Sequence, residues 1–397
     1  MTTQKPTTPS SNLVQSKGPR VVLQTIGRFH TFDLARQLHK RSALTAIFSG
    51  YPWFKLAGEQ LPRHLVYTFP WLHAPYMRLP GVISDRLEWW DGYLFEWYTA
   101  LCLPNCDVYC GLSGGGLRSG IKAKLRGAKY VCDRGSSHIR FQDRILREEY
   151  DRLGIRFRGI DPRTIEREEA EYAAADAITV PSTFVQRSFD VEKVQSNKVK
   201  LISYGVDLSR FFPTNRPSDH TFDILYVGTV SVRKGIPYLF TAFELLEHPN
   251  KRLTIVGGLT PELKDKVRAF ASSRKNIRVL GHVPQPELKE YMSRAHVMVL
   301  PSIEEGLALV QAQAMACGCP VIATTNTGAE DLFTNGVEGF IVGIRDPDAI
   351  AGCLQKLADD RQLRDGMGAA ALARVREIGG WDRYGEQMYH LFCDLVR

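Results

Sequence analysis

The chain of 397 residues contains no run of about 18 apolar residues, so no bilayer-spanning helix is expected. The opening stretch MTTQKPTTPSSNLVQSKGPR lacks the apolar core of a secretory signal. Its Thr, Ser and Pro content predicts a disordered tail over residues 1–19, ahead of a first strand near Arg20. Histidine is sparse, at 10, and none lies near the recurrent cysteines Cys102, Cys106 and Cys110. Pro104 interrupts that spacing, which predicts structural thiols rather than a metal face. Cys317 and Cys319 flank a glycine beside a strand and read as small buried residues. This usage of the eight cysteines fits a reducing, cytoplasmic setting. Nucleic-acid motifs are absent too, so no nucleic-acid partner is expected.

What is present describes a globular chain. Hydrophobic residues make up 44% and charged residues 24%, and the length suits two domains. The net charge of +8 is unevenly shared: residues 1–200 hold 29 Lys and Arg against 20 Asp and Glu, and the rest hold 22 against 23. A basic first half suits an anionic partner, whether acidic sugar, phosphate or an anionic inner membrane surface, and equally an ordinary solvated surface.

Strand-like runs alternate with helical periods, which predicts parallel sheets with crossover helices. VVLQTI (21–26) opens the first sheet, and 32–40 reads as a helix. YVCD (130–133) is a strand followed by the polar turn RGSSH. A charged helix follows Pro162, and AITVPS (177–182) is a further strand. The Pro- and Asn-containing connection 200–220 marks a boundary, which divides the chain into domains 20–210 and 211–380. FDILYVG, LTIVGG, IRVLG and HVMVLPS restart the pattern. Two doubly wound sheets facing each other would place ligands in the cleft at their strand carboxyl ends.

The most informative stretch is PSIEEGLALVQAQAMACGCPVIATT, 301–325. It reads as a strand end, an acidic turn at Glu305-Gly306, a buried helix 307–316 and a second buried strand. Backbone N–H groups at such a helix start favour anions, phosphate among them.

This stretch resembles the signature of the retaining family-four glycosyltransferases, PSxxEGFGLxxxEAMACGxPVIAT, which have the GT-B fold. The resemblance extends to YGVDLSRFFP, to FDILYVGTVSVRKGIPYLFTAFELL and to NIRVLGHVPQPELKEYMSRAHVMVLPS. WDRYGEQMYHLF is similar to the last helix of that fold, and implies that 381–397 cross back onto the first domain. The resemblance implies an α/β chain of two facing Rossmann-like domains with a deep interdomain cleft. It also implies a metal-independent hexosyltransferase without cofactor, moving a sugar from a UDP- or GDP-linked donor to a glycan or lipid-linked acceptor with retention. The pathway implied is polysaccharide or glycoconjugate biosynthesis, with the leaving diphosphate helping to deprotonate the acceptor.

In that register Glu305 holds the donor sugar's hydroxyls, and the amides of Gly306, Leu307, Ala308 and Leu309 meet sugar and phosphate. Arg233 and Lys234 clamp the diphosphate; Thr229 stands where the family has an arginine, and Arg233 offers the missing charge. Gln313 replaces the glutamate that grips the ribose, retaining one acceptor oxygen but no charge. Val283, in the segment Gly281–Val283, meets the base through the main chain, and Gly27 approaches the phosphate after the first strand. On the acceptor side the candidates are Arg134 by register, His138 by chemistry, and Arg118 with the glycine run 111–120.

Residues 51–98 are rich in aromatics with interspersed Lys and Arg, a composition shared by packed cores, sugar-stacking surfaces and membrane interfaces. Asp346-Pro347-Asp348 reads as a helix N-cap with proline at the first position, so no metal is assigned to it. Two other classes remain: a non-catalytic nucleotide- or glycan-binding relative, and a nucleotide-sugar epimerase, which would need paired carboxylates where only Glu305 is clearly placed.

Overall fold

The computed structural model describes residues 18–69 and 81–397, the side chains of 81–88 excepted. Most of the expected N-terminal tail, and Trp71 and Arg78 of the aromatic-rich segment, lie outside the described residues. Two parallel sheets form the frame. The first runs β3-β2-β1-β4-β5-β6-β7, with β1 Val21–Thr25, β2 Leu44–Ser49, β3 Val66–Thr68, β4 Val108–Leu112, β5 Lys129–Asp133, β6 Ala177–Val180 and β7 Val199–Leu201. The second runs β10-β9-β8-β11-β12-β13, with β8 Phe222–Val227, β9 Lys251–Val256, β10 Ile277–Gly281, β11 Val297–Leu300, β12 Val321–Thr324 and β13 Gly339–Val342.

The strand sequences explain the layering. All of β1, β6, β11 and β12 is buried, and such near-continuous apolar strands belong between two layers of helices. In each sheet the winding reverses beside the first strand, between β1 and β4 and between β8 and β11. That reversal opens a crevice at the carboxyl ends. Helix starts follow local chemistry: the Asp161 and Asp346 carboxylates accept from Arg163 and Ala349 N–H at 2.9 and 2.8 Å, each just ahead of a proline.

The chain crosses between domains twice. The first sheet ends at Leu201 and the second begins at Phe222, with Arg210 between them; the return runs through Gly379 and Gly380. The crossings touch backbone to backbone, since a Cβ on Gly205 would lie 2.4 Å from the Gly380 carbonyl. The last helix, Trp381–Val396, packs on Thr31–Lys40 of the first domain, with Gly385 against the Gln37 side chain. Cys102 ends a helix, Cys106 lies in a connection and Cys110 lies within β4, so the three share no helix face. Burial pushes the Cys106 thiol up to about 11.

Candidate active site

The loop after β8 must turn back onto the end of β11. Gly235 makes this feasible: its φ is 66°, and a Cβ would stand 1.9 Å from the Pro301 carbonyl oxygen. The neighbouring Lys234 ammonium is thereby set against the Glu305 carboxylate, to which Ser302 Oγ also donates at 3.3 Å. Burial lowers the Lys234 ammonium to about 7, Arg233 adds to the fall and Glu304 opposes it. Contact with Glu305 acts in the same sense as Glu304.

Arg233 is engaged elsewhere. Its Nε donates to Glu304 Oε2 at 2.7 Å, and its guanidinium reaches Ser136 Oγ at 3.2 Å. Glu304 is wholly buried and joins the domains: Oε1 accepts from the Ser137 N–H and Oγ at 2.9 and 2.8 Å, and Oε2 from Gln142 Nε2 at 3.0 Å. Burial pushes its carboxyl up, but Arg233 and the two Ser137 donors outweigh this and hold it below the ordinary range. Register in the sequence favours Glu305 and passes over Glu304; nothing local signals partners 162 to 167 residues away.

The domains meet on a glycine. A Cβ on Gly306 would fall 1.8 Å from the Gly135 carbonyl oxygen, and the Gly306 carbonyl accepts from Ser182 Oγ at 2.7 Å. Further contacts complete the closure: Asp331 Oδ2 accepts from Thr183 N–H and Oγ1, both at 2.9 Å, and Arg345 meets Glu149 at 2.6 Å. Gly306→Ala is therefore expected to prop the domains apart. Turnover should fall about 100-fold, the scale of an ångström-sized misplacement. Small-angle scattering should show a longer particle, and a variant with wild-type scattering and wild-type turnover would refute this.

Between the domains lies a cleft of about 430 Å³, lined by Arg28, His30, Arg36 and Arg210 on one side and by Leu309 and Gln313 on the other. Leu309 and Gln313 stand one turn apart on the helix Leu309–Ala316. Arg233, Lys234 and Glu305 do not line it; they lie under the closed contact. The three arginines are matched by carboxylates: Arg28 and Arg36 pair with Glu59, and Arg210 with Asp207 at 3.0 Å. The basic excess of the first half is thus not gathered in the cleft.

His30 is a cleft residue that the sequence reading missed. Its Nε2 lies 2.7 Å from Asp133 Oδ2, while Thr179 Oγ1 donates to Asp133 Oδ1 at 2.9 Å. The Tyr204 ring lies over it at 4.2 Å between centroids. Its signal was topological: His30 and Asp133 follow β1 and end β5, both at the carboxyl edge of one sheet.

Several expectations need correction. The helix begins at Leu309, not Leu307, because Ala308 has an extended ψ of 98°; the Ala308 N–H donates to Thr327 O at 3.2 Å. Leu307 is buried against Gly328. His138, the acceptor-side candidate by chemistry, does not line the cleft. It is buried, caps the helix Ile139–Arg152 by accepting from the Arg140 N–H at 3.3 Å, and packs on Tyr172 and Phe189. Burial, with Arg134, Arg140 and Arg144 nearby, lowers its imidazole to about 3, so it stays neutral near pH 7. Arg134 is buried in the first domain, paired with Glu168 at 2.7 Å and bonded to the Ser137 carbonyl at 2.8 and 2.9 Å. It supports the Glu304 network from behind.

The glycine run 111–120 already holds the Glu171 carboxyl group, which burial and then Glu168 push up to about 8 against the pull of two backbone donors. Glu171 Oε2 and Oε1 accept from the Gly114 and Gly116 N–H groups, each at 2.7 Å. Arg118 is turned away, its guanidinium 3.8 Å from the Trp97 ring centre. Val283 packs against the main core, and Gly27 is buried beside the exposed Phe29 ring. Among the described residues no group of His, Cys, Asp and Glu is arranged to hold a metal ion, and no helix is long and apolar enough to cross a membrane.

Comparison with known proteins agrees with this architecture. Residues 209–374 match the family described as glycosyl transferases group 1. Over 243 residues, 56% of the chain, it is 28% identical to the capsular polysaccharide biosynthesis glycosyltransferase CapM of Staphylococcus aureus, spanning 63% of that protein. It is 31% identical over 216 residues, half of the chain, to a D-inositol 3-phosphate glycosyltransferase of Pseudarthrobacter chlorophenolicus, spanning 51% of its length. In structure it is similar to Anabaena HepE solved with UDP and glucose, at a TM-score of 0.70 and 16% identity, covering 95% of this chain and 100% of that one. The segment 209–374 belongs to the glycosyl transferases group 1 family, within a chain whose two facing Rossmann-like domains make the GT-B fold.

Proposed function

We propose that the chain transfers a sugar from a nucleoside-diphosphate donor to a glycan or lipid-linked acceptor, with retention and without a metal. The observation that carries this reading is the Lys234–Glu305 pair at the carboxyl ends of β8 and β11, with Gln313 of the segment that follows Glu305 lining the cleft. A lysine there can neutralise the leaving diphosphate while a carboxylate accepts from sugar hydroxyls, charge on charge where charge develops. Gln313 can accept from one ribose hydroxyl, and His30, polarised by Asp133, borders the same space from the first domain. UDP comes first among the nucleotides to test because HepE, which shares this fold, is solved with it; GDP is the alternative. A second reading is a non-catalytic nucleotide-binding relative. It is favoured by the engagement of Arg233 with Glu304, by Thr229 in place of an arginine, and by the uncharged Gln313.

The test is thermal shift with UDP, GDP, ADP and dTDP, with and without EDTA, followed by product analysis with the corresponding sugars. A nucleotide at 100 times its Kd should add about 2.7 kcal/mol of stability, unchanged by EDTA. Gln313→Glu should tighten nucleotide binding several-fold, since a charge-assisted bond is about twice as strong as a neutral one. Binding without transfer would favour the second reading; no shift with any nucleotide would refute both.

A further inference from the structure

The helix Gly81–Cys102 is built inside out. From Trp89 onward its exposed positions are Trp90, Leu94, Trp97 and Leu101. Their spacing of four, three and four residues lays them along one stripe. Asp91, Glu96 and Thr99 point inward, at 2%, 4% and 0% exposure. The buried polar groups are accommodated: the Arg118 N–H donates to Glu96 Oε1, and Thr99 Oγ1 donates to the Phe95 carbonyl at 3.0 Å. A helix facing water shows the reverse distribution. The adjacent helix, Leu117–Leu125, exposes Ile121 and Leu125 one turn apart, at 44% and 83%. Among the described residues, six of the sixteen exposed large hydrophobic side chains fall on these two neighbouring helices, so they form a patch rather than a scatter.

Cations border the stripe. The Arg118 guanidinium stacks on Trp97, Lys122 Nζ donates to the Ala100 carbonyl at 2.6 Å, and Arg126 donates to the Leu103 carbonyl at 2.8 Å. All three lie beside the apolar stripe, and among the described residues none of them forms an ion pair, although the Arg118 charge also acts on the buried Glu96. We infer that this face docks on an anionic lipid surface, with the Trp and Leu side chains in the interfacial region and the cations at the headgroups. Tryptophan favours that depth, basic side chains extend from apolar stems to the polar layer, and each adds attraction to anionic lipid. A second copy of the chain suits the face less well, because it would set Arg118, Lys122 and Arg126 against their own images. Docking deepens the proposed function by indicating a membrane-borne acceptor and rests on it only for that clause; the surface itself owes nothing to the transfer chemistry.

The experiment is co-sedimentation of the full chain with phosphatidylcholine vesicles, with and without phosphatidylglycerol, at low and high salt. The partner variant is Trp90→Ser/Leu101→Ser, whose sites are exposed, with its fold checked by its melting curve. The wild type should bind the anionic vesicles at least about tenfold more tightly than the neutral ones, and less tightly in high salt. The double variant should lose about tenfold of that affinity. Absence of vesicle binding at low salt, or equal binding by the variant, would overturn the inference. A concentration-dependent dimer abolished by the double variant would overturn it in favour of self-association. The thermal shift with the four nucleotides, read on the same samples, keeps the two readings apart: a shift without docking sinks only the docking, and docking without a shift by any nucleotide sinks only the transfer.

Discussion

Lys234→Ala is expected to lower kcat/KM for sugar transfer by about 10²–10³-fold, the cost of removing one preorganised group facing developing charge. The loss should lie mainly in kcat, because the diphosphate carries more charge on leaving than in the bound donor. A pH dependence accompanies it. With the ammonium lowered to about 7, its charged fraction in the free protein falls as pH rises, while a bound diphosphate favours the charged form. Nucleotide affinity should therefore decline above about pH 7, by at most tenfold per unit. Lys234→Arg, which stays charged, should flatten the profile. Stability runs the other way. Between about pH 7 and the ordinary value of 10.5 the unfolded chain binds the proton more strongly, so this residue's unfavourable contribution is relieved as pH rises. Isothermal titration with UDP across pH 6.5–9 decides the binding claim, and a flat wild-type profile would contradict it.

Glu304→Ala is expected to cost about 3–5 kcal/mol, the scale for breaking one partner of a buried ion pair. The substitution strands the Ser137 and Gln142 donors and leaves Arg233 without its carboxylate. Since Glu304 joins the two domains, the loss should appear as earlier, less cooperative melting and as a more open particle, with turnover falling in parallel. Glu304→Gln should be milder but still destabilising, because its NH2 must face either the Ser137 N–H and Oγ donors or the Arg233 and Gln142 donors. The carboxyl is held below its ordinary 4.5. Its stabilisation is therefore full above that value and disappears as pH falls through the folded-state value; the gap between wild type and Glu304→Gln should close under acid. A melting curve for Glu304→Ala that overlays the wild type would remove Glu304 from the interface argument.

The parts of the site legible in the sequence are those carried by short, ordered spacing. Lys234 and Glu305 stand at fixed offsets from strand ends, and the structure pairs them; Gln313, from the same motif, lines the cleft apart from that pair. The second sheet was readable for the same reason, as β8 and β11 are largely buried apolar runs closed by glycine or proline. Residues whose partners are distant in the chain were not legible. Glu305 and Glu304 are neighbours with the same chemistry, yet one faces Lys234 and the other closes the domain interface. Whether a glycine run binds a ligand or an internal carboxyl group depends on Glu171, more than fifty residues further on.

By itself, the sequence determined the periodicities: parallel strands between helices, two doubly wound halves, and an acid-and-glycine turn between a strand's carboxyl end and a buried helix. Those follow from local backbone preference and from the burial of alternating segments, which neighbouring residues specify. Tertiary structure alone decided which polar groups face the cleft. It turned His138 inward as a cap and set a largely buried His30 at the cleft wall beside Asp133. It brought Gly135 against Gly306, and it left Trp90 and Trp97 on the surface while Asp91 and Glu96 went inside. The reason is that a side chain's electrostatic environment is set by whichever groups surround it in space, and folding joins groups that no local pattern relates.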